Sequence, residues 1–139
     1  KAGVIDWIGT TISKVGGSGK GSTFIVYSII VWASVIISAF VDNIPYTATM
    51  LPVVAVISES LSATGTAVSP KLLYYGLLIG ATLGGNLTPI GASANIAGIG
   101  ILRKEGYEVK SSEFMKFGIP ITLSAVITGY LLVWLVWCK

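Results

Sequence analysis

Two long apolar stretches, each with a polar interruption, dominate the pattern of hydrophobic and polar positions. Residues 24–58 contain one charged side chain, that of Asp42, and residues 72–102 contain none. As straight helices these stretches would be about 52 Å and about 46 Å long, whereas the hydrocarbon core of a bilayer is about 30 Å thick. Each stretch is therefore expected to turn or unwind within the membrane.

The first interruption is the sequence Asp-Asn-Ile-Pro at residues 42–45. Pro45 lacks a backbone N–H donor, and it biases Ile44 away from helical geometry. The segments on both sides are almost wholly apolar, as is typical of chain that lies in lipid. We therefore predict a re-entrant helical hairpin over residues 24–58, whose two arms meet at this turn.

The second interruption, at residues 84–95, reads Gly-Gly-Asn-Leu-Thr-Pro-Ile-Gly-Ala-Ser-Ala-Asn. It is dense in helix-breaking residues and in amide and hydroxyl side chains. If this segment is unwound, two half-helices and a short extended piece fit a single membrane crossing. Residues 72–102 are therefore predicted to form a discontinuous transmembrane helix.

The remaining segments connect or flank these two elements. Residues 1–23 are predicted to form an interfacial helix followed by a Gly/Ser loop, and residues 59–71 a surface loop. Residues 103–117 carry the highest density of charge and are predicted to form an amphipathic connector. Residues 118–139 are predicted to form the terminal transmembrane helix, which ends in tryptophan and lysine at a membrane boundary.

The composition agrees with a membrane protein. Hydrophobic residues make up 53% of the 139 residues and charged residues 11%, against about 25% charged in a soluble domain. We expect an all-α, multi-pass integral membrane protein. Because 139 residues leave room for only three or four membrane segments, we also expect the chain to be one half of a larger protein.

The same composition argues against several classes of function. The chain has no histidine and one cysteine, Cys138, so an internal disulfide, a cysteine metal site and histidine-dependent catalysis are excluded. The basic residues are scattered through the connecting segments, which does not suit a nucleic-acid partner. No cofactor and no enzymatic activity are expected.

The two breaks are where chemistry is expected. Non-helical backbone at membrane depth survives only where protein or a water-filled cavity surrounds it, and secondary transporters use such breaks to hold substrates and ions. Asp42 is expensive to place in lipid, which favours a cation ligand or a proton carrier facing a cavity. The alternative is that Asp42 lies at the membrane interface and only caps the following helix.

Neutral polar side chains accompany the acid at both breaks. They are Asn43 and Thr47 at the first break, and Asn86, Thr88, Ser93 and Asn95 at the second. These side chains are candidate ligand contacts. The alternative is that they bond locally to backbone groups freed by the interruptions.

The sequence at residues 42–52 resembles the tip and second arm of the C-terminal re-entrant hairpin in the ion transporter superfamily. The sequences at 80–86 and 91–95 resemble the broken helix that follows it. The closest likeness is to the citrate-transporter-like group, which holds the melanosomal P protein, arsenite-efflux permeases and certain sodium/proton antiporters. It extends to the last helix and covers nearly the whole chain.

This resemblance implies an inverted-repeat, elevator-type secondary transporter, of which the chain is the C-terminal repeat. Its partners would be the lipid bilayer, the missing N-terminal repeat of the same protein, a small inorganic ion or anion as substrate and, in the complete protein, a second copy in a homodimer. The family pattern places the connector at residues 103–117 in the cytoplasm. The Arg103–Lys104 pair agrees with the excess of positive charge on that side.

The resemblance also sharpens the site. Related divalent-anion/sodium symporters carry Ser-Asn-Thr at the hairpin tip, where this chain keeps Asn43 but has Asp42 and Ile44 on either side. A fixed negative charge repels a carboxylate, whereas it attracts sodium or carries a proton. We therefore expect Na⁺ or H⁺ coupling, with Asp42, Asn43 and Asn95 as candidate sodium ligands and Gly91 allowing close backbone approach.

The resulting hypothesis is a cation-coupled secondary active transporter whose hairpin tip and unwound loop form one site at the membrane midplane. The rival hypothesis is a noncatalytic membrane subunit whose helix breaks serve packing or partner binding.

Overall fold

The computed structural model describes residues 20–63 and 69–138, and within those ranges every regular element is a helix. The helices are α1 (Lys20–Ser38), α2 (Asn43–Ala63), α3 (Pro70–Gly84), α4 (Ser93–Lys104) and α5 (Ser111–Trp137). Three of them, α1, α2 and α5, are long and apolar enough to cross a membrane. The prediction of an all-helical chain with membrane-spanning segments is confirmed.

Several helix ends differ from the sequence-based bounds. Residues 1–19, where an interfacial helix and a loop were expected, lie outside the described residues, while 20–23 already form the first turn of α1. Helix α2 continues to Ala63 because Ser60 and Ser62 donate their hydroxyls to carbonyl groups one turn back, which satisfies these polar side chains within a helix. The predicted loop at 59–71 is therefore helical in its first five residues.

The connector is also shorter than expected. Helix α5 begins at Ser111 and not at residue 118, so the second half of the predicted connector at 103–117 is the first part of a 27-residue helix. The acidic Glu113 lies in its first turn, where its carboxylate complements the positive end of the helix and accepts a hydrogen bond of 3.5 Å from the Lys110 backbone N–H.

Helices α1 and α3 run parallel and in close contact through three glycines of α3. Gly76 lies against Tyr27, Gly80 against Val31, and Gly84 against Val35. The residue numbers of the contacting pairs increase together along both helices, so the two helices point the same way. A Cβ atom on Gly80 would lie 2.6 Å from the Cβ of Ser34, which shows how close the backbones come. The C-terminal ends of α1 and α3 therefore lie side by side.

Helix α5 runs antiparallel to α3 and also contacts α1. Gly129 lies against Ile79, and the Trp137 ring lies 5.3 Å from the Tyr75 ring. Helix α2 packs on α3 and is joined to α1 by a hydrogen bond of 3.0 Å between the Tyr46 and Ser34 hydroxyls. None of the residues of α4 is buried, and α4 packs along no other helix among the described residues.

A contact with α5 shows where the breaks lie along the axis of the bundle. A Cβ on Gly118 would lie 2.8 Å from the carbonyl oxygen of Asn86, in the second break. Gly118 is seven residues from the start of α5 and nineteen from its end, which corresponds to about 10 Å and about 28 Å along the helix axis. The breaks therefore lie within the length of α5, displaced towards the α4–α5 connector.

Candidate functional site

Both predicted interruptions contain non-helical residues, but the first break lies mainly before residues 42–45, because Asn43 already begins α2. The two non-helical segments lie against each other. Residues 39–42 separate α1 from α2, and residues 85–92 separate α3 from α4. The buried Thr88 hydroxyl donates a hydrogen bond to the carbonyl oxygen of Ala39, which ties one interruption to the other. We call this joined region, residues 38–44 and 85–95, the junction.

Asp42 forms the second link across the junction. Its Oδ2 atom accepts hydrogen bonds from the backbone N–H of Ser93, at 3.0 Å, and from the Ser93 hydroxyl, at 2.6 Å. Its Oδ1 atom accepts a third hydrogen bond, of 3.2 Å, from the Ile44 N–H. Ile44 belongs to the first turn of α2 and Ser93 to the first turn of α4. One carboxylate therefore faces the N-terminal ends of two helices.

The charge of the Asp42 carboxylate is stabilised by these donors. The Ser93 hydroxyl, followed by the backbone N–H groups of Ile44 and Ser93, lowers the pKa of the Asp42 carboxyl below its ordinary value. No charged neighbour among the described residues contributes to this shift. A carboxyl group with a lowered pKa is ionised at neutral pH, so these contacts favour a fixed negative charge over a carried proton.

The contacts of Asp42 agree in part with each of the two interpretations of this residue, a helix cap and a ligand for a cation. The bond from Ile44 is the helix cap that formed the alternative interpretation, since Asp42 precedes α2 directly. The two bonds from Ser93 join residues 51 positions apart and are not required to cap α2. A carboxylate offers about four acceptor positions, and three are taken, so acceptor capacity remains on a side chain that is only half-buried.

Asn95 and Thr88 hold the unwound segment in shape. The Asn95 side-chain amide donates to the carbonyl oxygens of Gly85, at 3.0 Å, and Thr88, at 3.2 Å. Both carbonyl groups belong to the second break and lack helical partners there. The donors of Asn95 and Thr88 thus serve backbone groups freed by the interruption, as the alternative reading of these residues proposed. The amide oxygen of Asn95 takes no part in these bonds.

Gly91 lies where three backbone carbonyl groups converge. A Cβ at this position would lie 2.6 Å from the carbonyl oxygen of Gly85, 2.7 Å from that of Ala39 and 2.9 Å from that of Ser38. Only glycine allows the backbone to approach these oxygens so closely. The close contact of Gly91 is with the protein's own backbone, and whether Gly91 also allows a ligand to approach stays a prediction.

The remaining predicted residues surround the junction. Asn43 lies in the first turn of α2 and Thr47 one turn later, and both side chains are half-buried. Neither side chain forms a hydrogen bond with another described residue. Asn86 is exposed, and its carbonyl faces Gly118 of α5 instead of Asp42. Whether any of these side chains contacts a ligand stays a prediction.

The carbonyl groups of Ser38, Ala39 and Gly85 are part of the junction that sequence reasoning did not identify. Every residue has a carbonyl group, so only the unwinding and the glycine at residue 91 could indicate where several would gather. The described residues contain no group of three or more His, Cys, Asp or Glu side chains that could hold a metal. One carboxylate among neutral oxygens suits a hard monovalent cation better than a transition metal.

Comparisons with known proteins place the chain among transporters. It is 43% identical over 107 residues to the P protein of Mus musculus, which covers 76% of this chain and 12% of that protein. It is 35% identical over 136 residues to an uncharacterized transporter of Mycobacterium tuberculosis (strain ATCC 25618 / H37Rv), covering 97% of this chain and 30% of the transporter. It is also 36% identical over 102 residues to a 46 kDa membrane protein of Mycobacterium leprae (strain TN), covering 73% and 23%.

The chain spans less than a third of the length of these relatives. No solved structure shows significant similarity to it. The family model described as citrate transporter, CitMHS, matches residues 1–138. The resemblance to the citrate-transporter-like group is thereby confirmed, and the chain, an integral membrane protein with long apolar helices, belongs to the CitMHS citrate transporter family.

Proposed function

We propose that the chain is the C-terminal repeat of a multi-pass, elevator-type secondary active transporter that couples the movement of a small ion or anion to a cation. The complete protein would contain an N-terminal repeat of inverted topology and would form a homodimer. Membership of a transporter family and three helices of membrane-spanning length support the general class. The junction supports the coupling step, because half-helix ends are where secondary transporters hold ions.

One observation carries the proposal, namely that the Asp42 carboxylate lies at the contact between the two breaks and accepts hydrogen bonds from both of them. If the two breaks served only helix packing, a charged group at membrane depth would destabilise the protein without contributing to its function. The carboxylate is bonded on one side by Ser93 and Ile44, and its remaining acceptor capacity is open. A cation bound there would neutralise the charge before the site moves through the membrane.

We assign the following ligands to the coupling cation. Asp42 supplies the charge for the coupling cation, Asn43 and the amide oxygen of Asn95 supply neutral oxygens, and Thr47 lies one turn along α2 from Asn43. The carbonyl groups gathered at Gly91 belong to the C-terminal ends of α1 and α3, whose partial negative charge favours a cation.

The test is a flux assay on the full-length protein in vesicles, with sodium, protons, arsenite and citrate examined in turn. In Asp42→Asn, which keeps the size of the side chain and loses its charge, coupled flux should fall to the level of empty vesicles while the protein still inserts. Glu59→Gln is the matched control, because Glu59 is an exposed acid of α2. Normal coupled flux in Asp42→Asn would refute the assignment.

The noncatalytic membrane subunit is the second candidate, and the internal hydrogen bonds of Thr88 and Asn95 favour it. In that case the junction would only hold the helices together. Single cysteines at Asn43 and Thr47, in a full-length protein whose Cys138 has been replaced, separate the two hypotheses. A transporter predicts that sodium slows thiol labelling at these positions, whereas a subunit predicts the same labelling rate with sodium and with choline.

A further inference from the structure

A polar cleft lies where α4 ends and the chain turns back into α5. It has a volume of about 650 Å³ and is lined by Arg103 of α4 and by the connector between the two helices. Its charged residues are Arg103, Lys110 and Glu108, so positive charge exceeds negative. None of these three side chains forms a hydrogen bond or an ion pair with another described residue. Both cations therefore remain available to an anion.

An apolar cleft continues from the polar one. It has a volume of about 270 Å³ and shares Arg103, Val109 and Ser111 with the polar cleft. Its other lining residues come from the second break and from α4, and they are Pro89, Ile90, Ile96, Ile99 and Gly100. The two clefts together form one groove with a cationic end and an apolar end.

One face of α4 contributes to both ends of the groove. Ile96, Ile99 and Arg103 follow each other at spacings of three and four residues, so their side chains share a face of the helix. The Ile96 side chain is 54% exposed. Nothing lies within 4 Å of a Cβ at Gly100, between the isoleucines and the arginine. This part of the groove is therefore open among the described residues.

The groove extends across a membrane boundary. Helix α5 has membrane-spanning length and begins at Ser111. The connector at residues 105–110 is not helical, and irregular backbone is not exposed to lipid within the hydrocarbon region. The polar cleft therefore lies at the level of the lipid headgroups. Ile99 and Ile96 lie about one and two helical turns further along α4, towards the hydrocarbon.

We propose that this groove binds an anionic phospholipid. The Arg103 guanidinium holds the headgroup phosphate, to which its planar donors are suited, and Lys110 adds a second positive charge. One acyl chain lies along Ile96 and Ile99. A soluble anion would leave the apolar cleft in contact with water, and an apolar protein segment would leave Arg103 unpaired, whereas a charged amphiphile matches both ends.

The bound acyl chain would also contact the junction, because Pro89 and Ile90 belong to the second break. The lipid site itself does not rest on the proposed transport function. It rests on the two connected clefts and on the unpaired cations at one end of them.

The test is native mass spectrometry of the full-length protein in detergent, titrated with dioleoylphosphatidylglycerol or with dioleoylphosphatidylcholine. The wild type should bind phosphatidylglycerol more tightly, because the choline group cancels the phosphate charge. Arg103→Gln should weaken the binding of phosphatidylglycerol by about tenfold. Lys104→Gln is the matched control, because Lys104 is an exposed cation at the next position and lines neither cleft.

A second pair of variants tests the apolar end of the groove. Gly100→Leu places a side chain in the apolar cleft without a clash with any described residue, so it should weaken phosphatidylglycerol binding and leave the unfolding temperature near that of the wild type. Gly98→Leu is its control, because a Cβ at Gly98 is equally free of neighbours and Gly98 lines neither cleft.

The outcomes separate this inference from the proposed function. A loss of binding confined to Arg103→Gln and Gly100→Leu supports the lipid site, whether or not the full-length protein shows coupled flux. Equal binding in Arg103→Gln, Lys104→Gln and wild type would overturn it, and so would unchanged binding in Gly100→Leu.

Two other results would identify a different occupant and so overturn the lipid site. No preference of the wild type for phosphatidylglycerol over phosphatidylcholine is the result expected if another segment of the full-length protein fills the groove. Glycerol phosphate, which has the headgroup chemistry without acyl chains, should bind much more weakly than the lipid. Binding of glycerol phosphate as tight as that of phosphatidylglycerol, and equally lost in Arg103→Gln, would make the groove a site for a soluble phosphate compound.

Discussion

The two ends of α1 are held in different ways. Near its start, Phe24 and Tyr27 pack against Trp134 and Tyr130 of α5, with ring centroids 4.8 Å apart for Phe24–Trp134 and 5.0 Å for Tyr27–Tyr130. At its far end, the chain passes into the junction, where hydrogen bonds and close backbone contacts replace apolar side chains. The first region is a packed bundle, and the second is a set of individually directed polar contacts.

This difference indicates where stability and function reside. Apolar and aromatic packing is spread over many atoms and is tolerant of small shifts. The junction depends on single atoms, among them the Thr88 hydroxyl, the Asn95 amide and the Asp42 carboxylate. Variants in the bundle should therefore change stability first, whereas variants in the junction should change ion binding first.

The largest effect on stability is expected from Gly80→Ala, at the contact between α1 and α3. Its Cβ would lie 2.4 Å from the carbonyl oxygen of Val31 and 2.6 Å from the Cβ of Ser34, so the two helices must move apart. We expect a loss of about 1–3 kcal/mol in the free energy of unfolding. Thermal unfolding of the full-length protein in detergent measures this loss.

Gly98→Ala in α4 is the control for Gly80→Ala. Nothing lies within 4 Å of a Cβ at Gly98, so alanine should be neutral or should stabilise the helix by up to about 1 kcal/mol. Equal stability of Gly80→Ala and wild type would contradict the close contact between α1 and α3. A loss of stability in Gly98→Ala would instead indicate that another segment of the full-length protein packs against α4.

Gly91→Ala should affect ion binding more than stability, in contrast to Gly80→Ala. Its Cβ would enter the group of carbonyl oxygens from Ser38, Ala39 and Gly85, and so displace the second break from the end of α1. Sodium-dependent flux should be lost, while the unfolding temperature falls less than in Gly80→Ala because the bundle is unchanged. Sodium-dependent flux at the wild-type rate in Gly91→Ala would show that the junction tolerates rearrangement and does not hold the ion.

The approximate positions of the two breaks have local causes in the sequence. Pro45 lies in the first turn of α2, where its missing N–H costs no hydrogen bond, and Gly84, Gly85 and Gly91 lie where α3 ends and the chain unwinds. Proline alone does not mark a break, since Pro52 lies inside α2 and Pro120 inside α5. Helix ends at polar residues were predicted less well. Ser60 and Ser62 continue α2 by bonding to its own carbonyl groups, an option that composition alone does not reveal.

The partners within the junction could not be read from the sequence. Asp42 and Ser93 were both candidates, but their contact spans 51 residues and depends on the parallel packing of α1 and α3. Asn95 was predicted as a sodium ligand, whereas its donors bind backbone carbonyl groups. The carbonyl groups themselves have no sequence signature, so their gathering at Gly91 is visible only in three dimensions.

The smallest predicted effect concerns the pH dependence of sodium binding. The Ser93 hydroxyl is the main cause of the lowered pKa of Asp42. A lowered pKa means that the carboxylate is ionised above that value and becomes protonated as the pH falls through it. Wild-type sodium binding should therefore not vary between pH 6 and pH 8 on account of Asp42, and should be lost only below the ordinary range of about 4.

Ser93→Ala removes the hydroxyl donor but keeps the backbone N–H, so the pKa of Asp42 should rise towards its ordinary value. The acid limit of sodium binding should then move to higher pH, whereas the affinity at pH 7 should stay unchanged, because a carboxyl group of ordinary pKa is still ionised there. Ser93→Thr keeps a hydroxyl and should restore the wild-type acid limit. Sodium-dependent thermal shifts between pH 3.5 and pH 8 give both quantities. If Ser93→Ala weakens binding equally at every pH, the hydroxyl acts on the ion directly and not through the charge of Asp42.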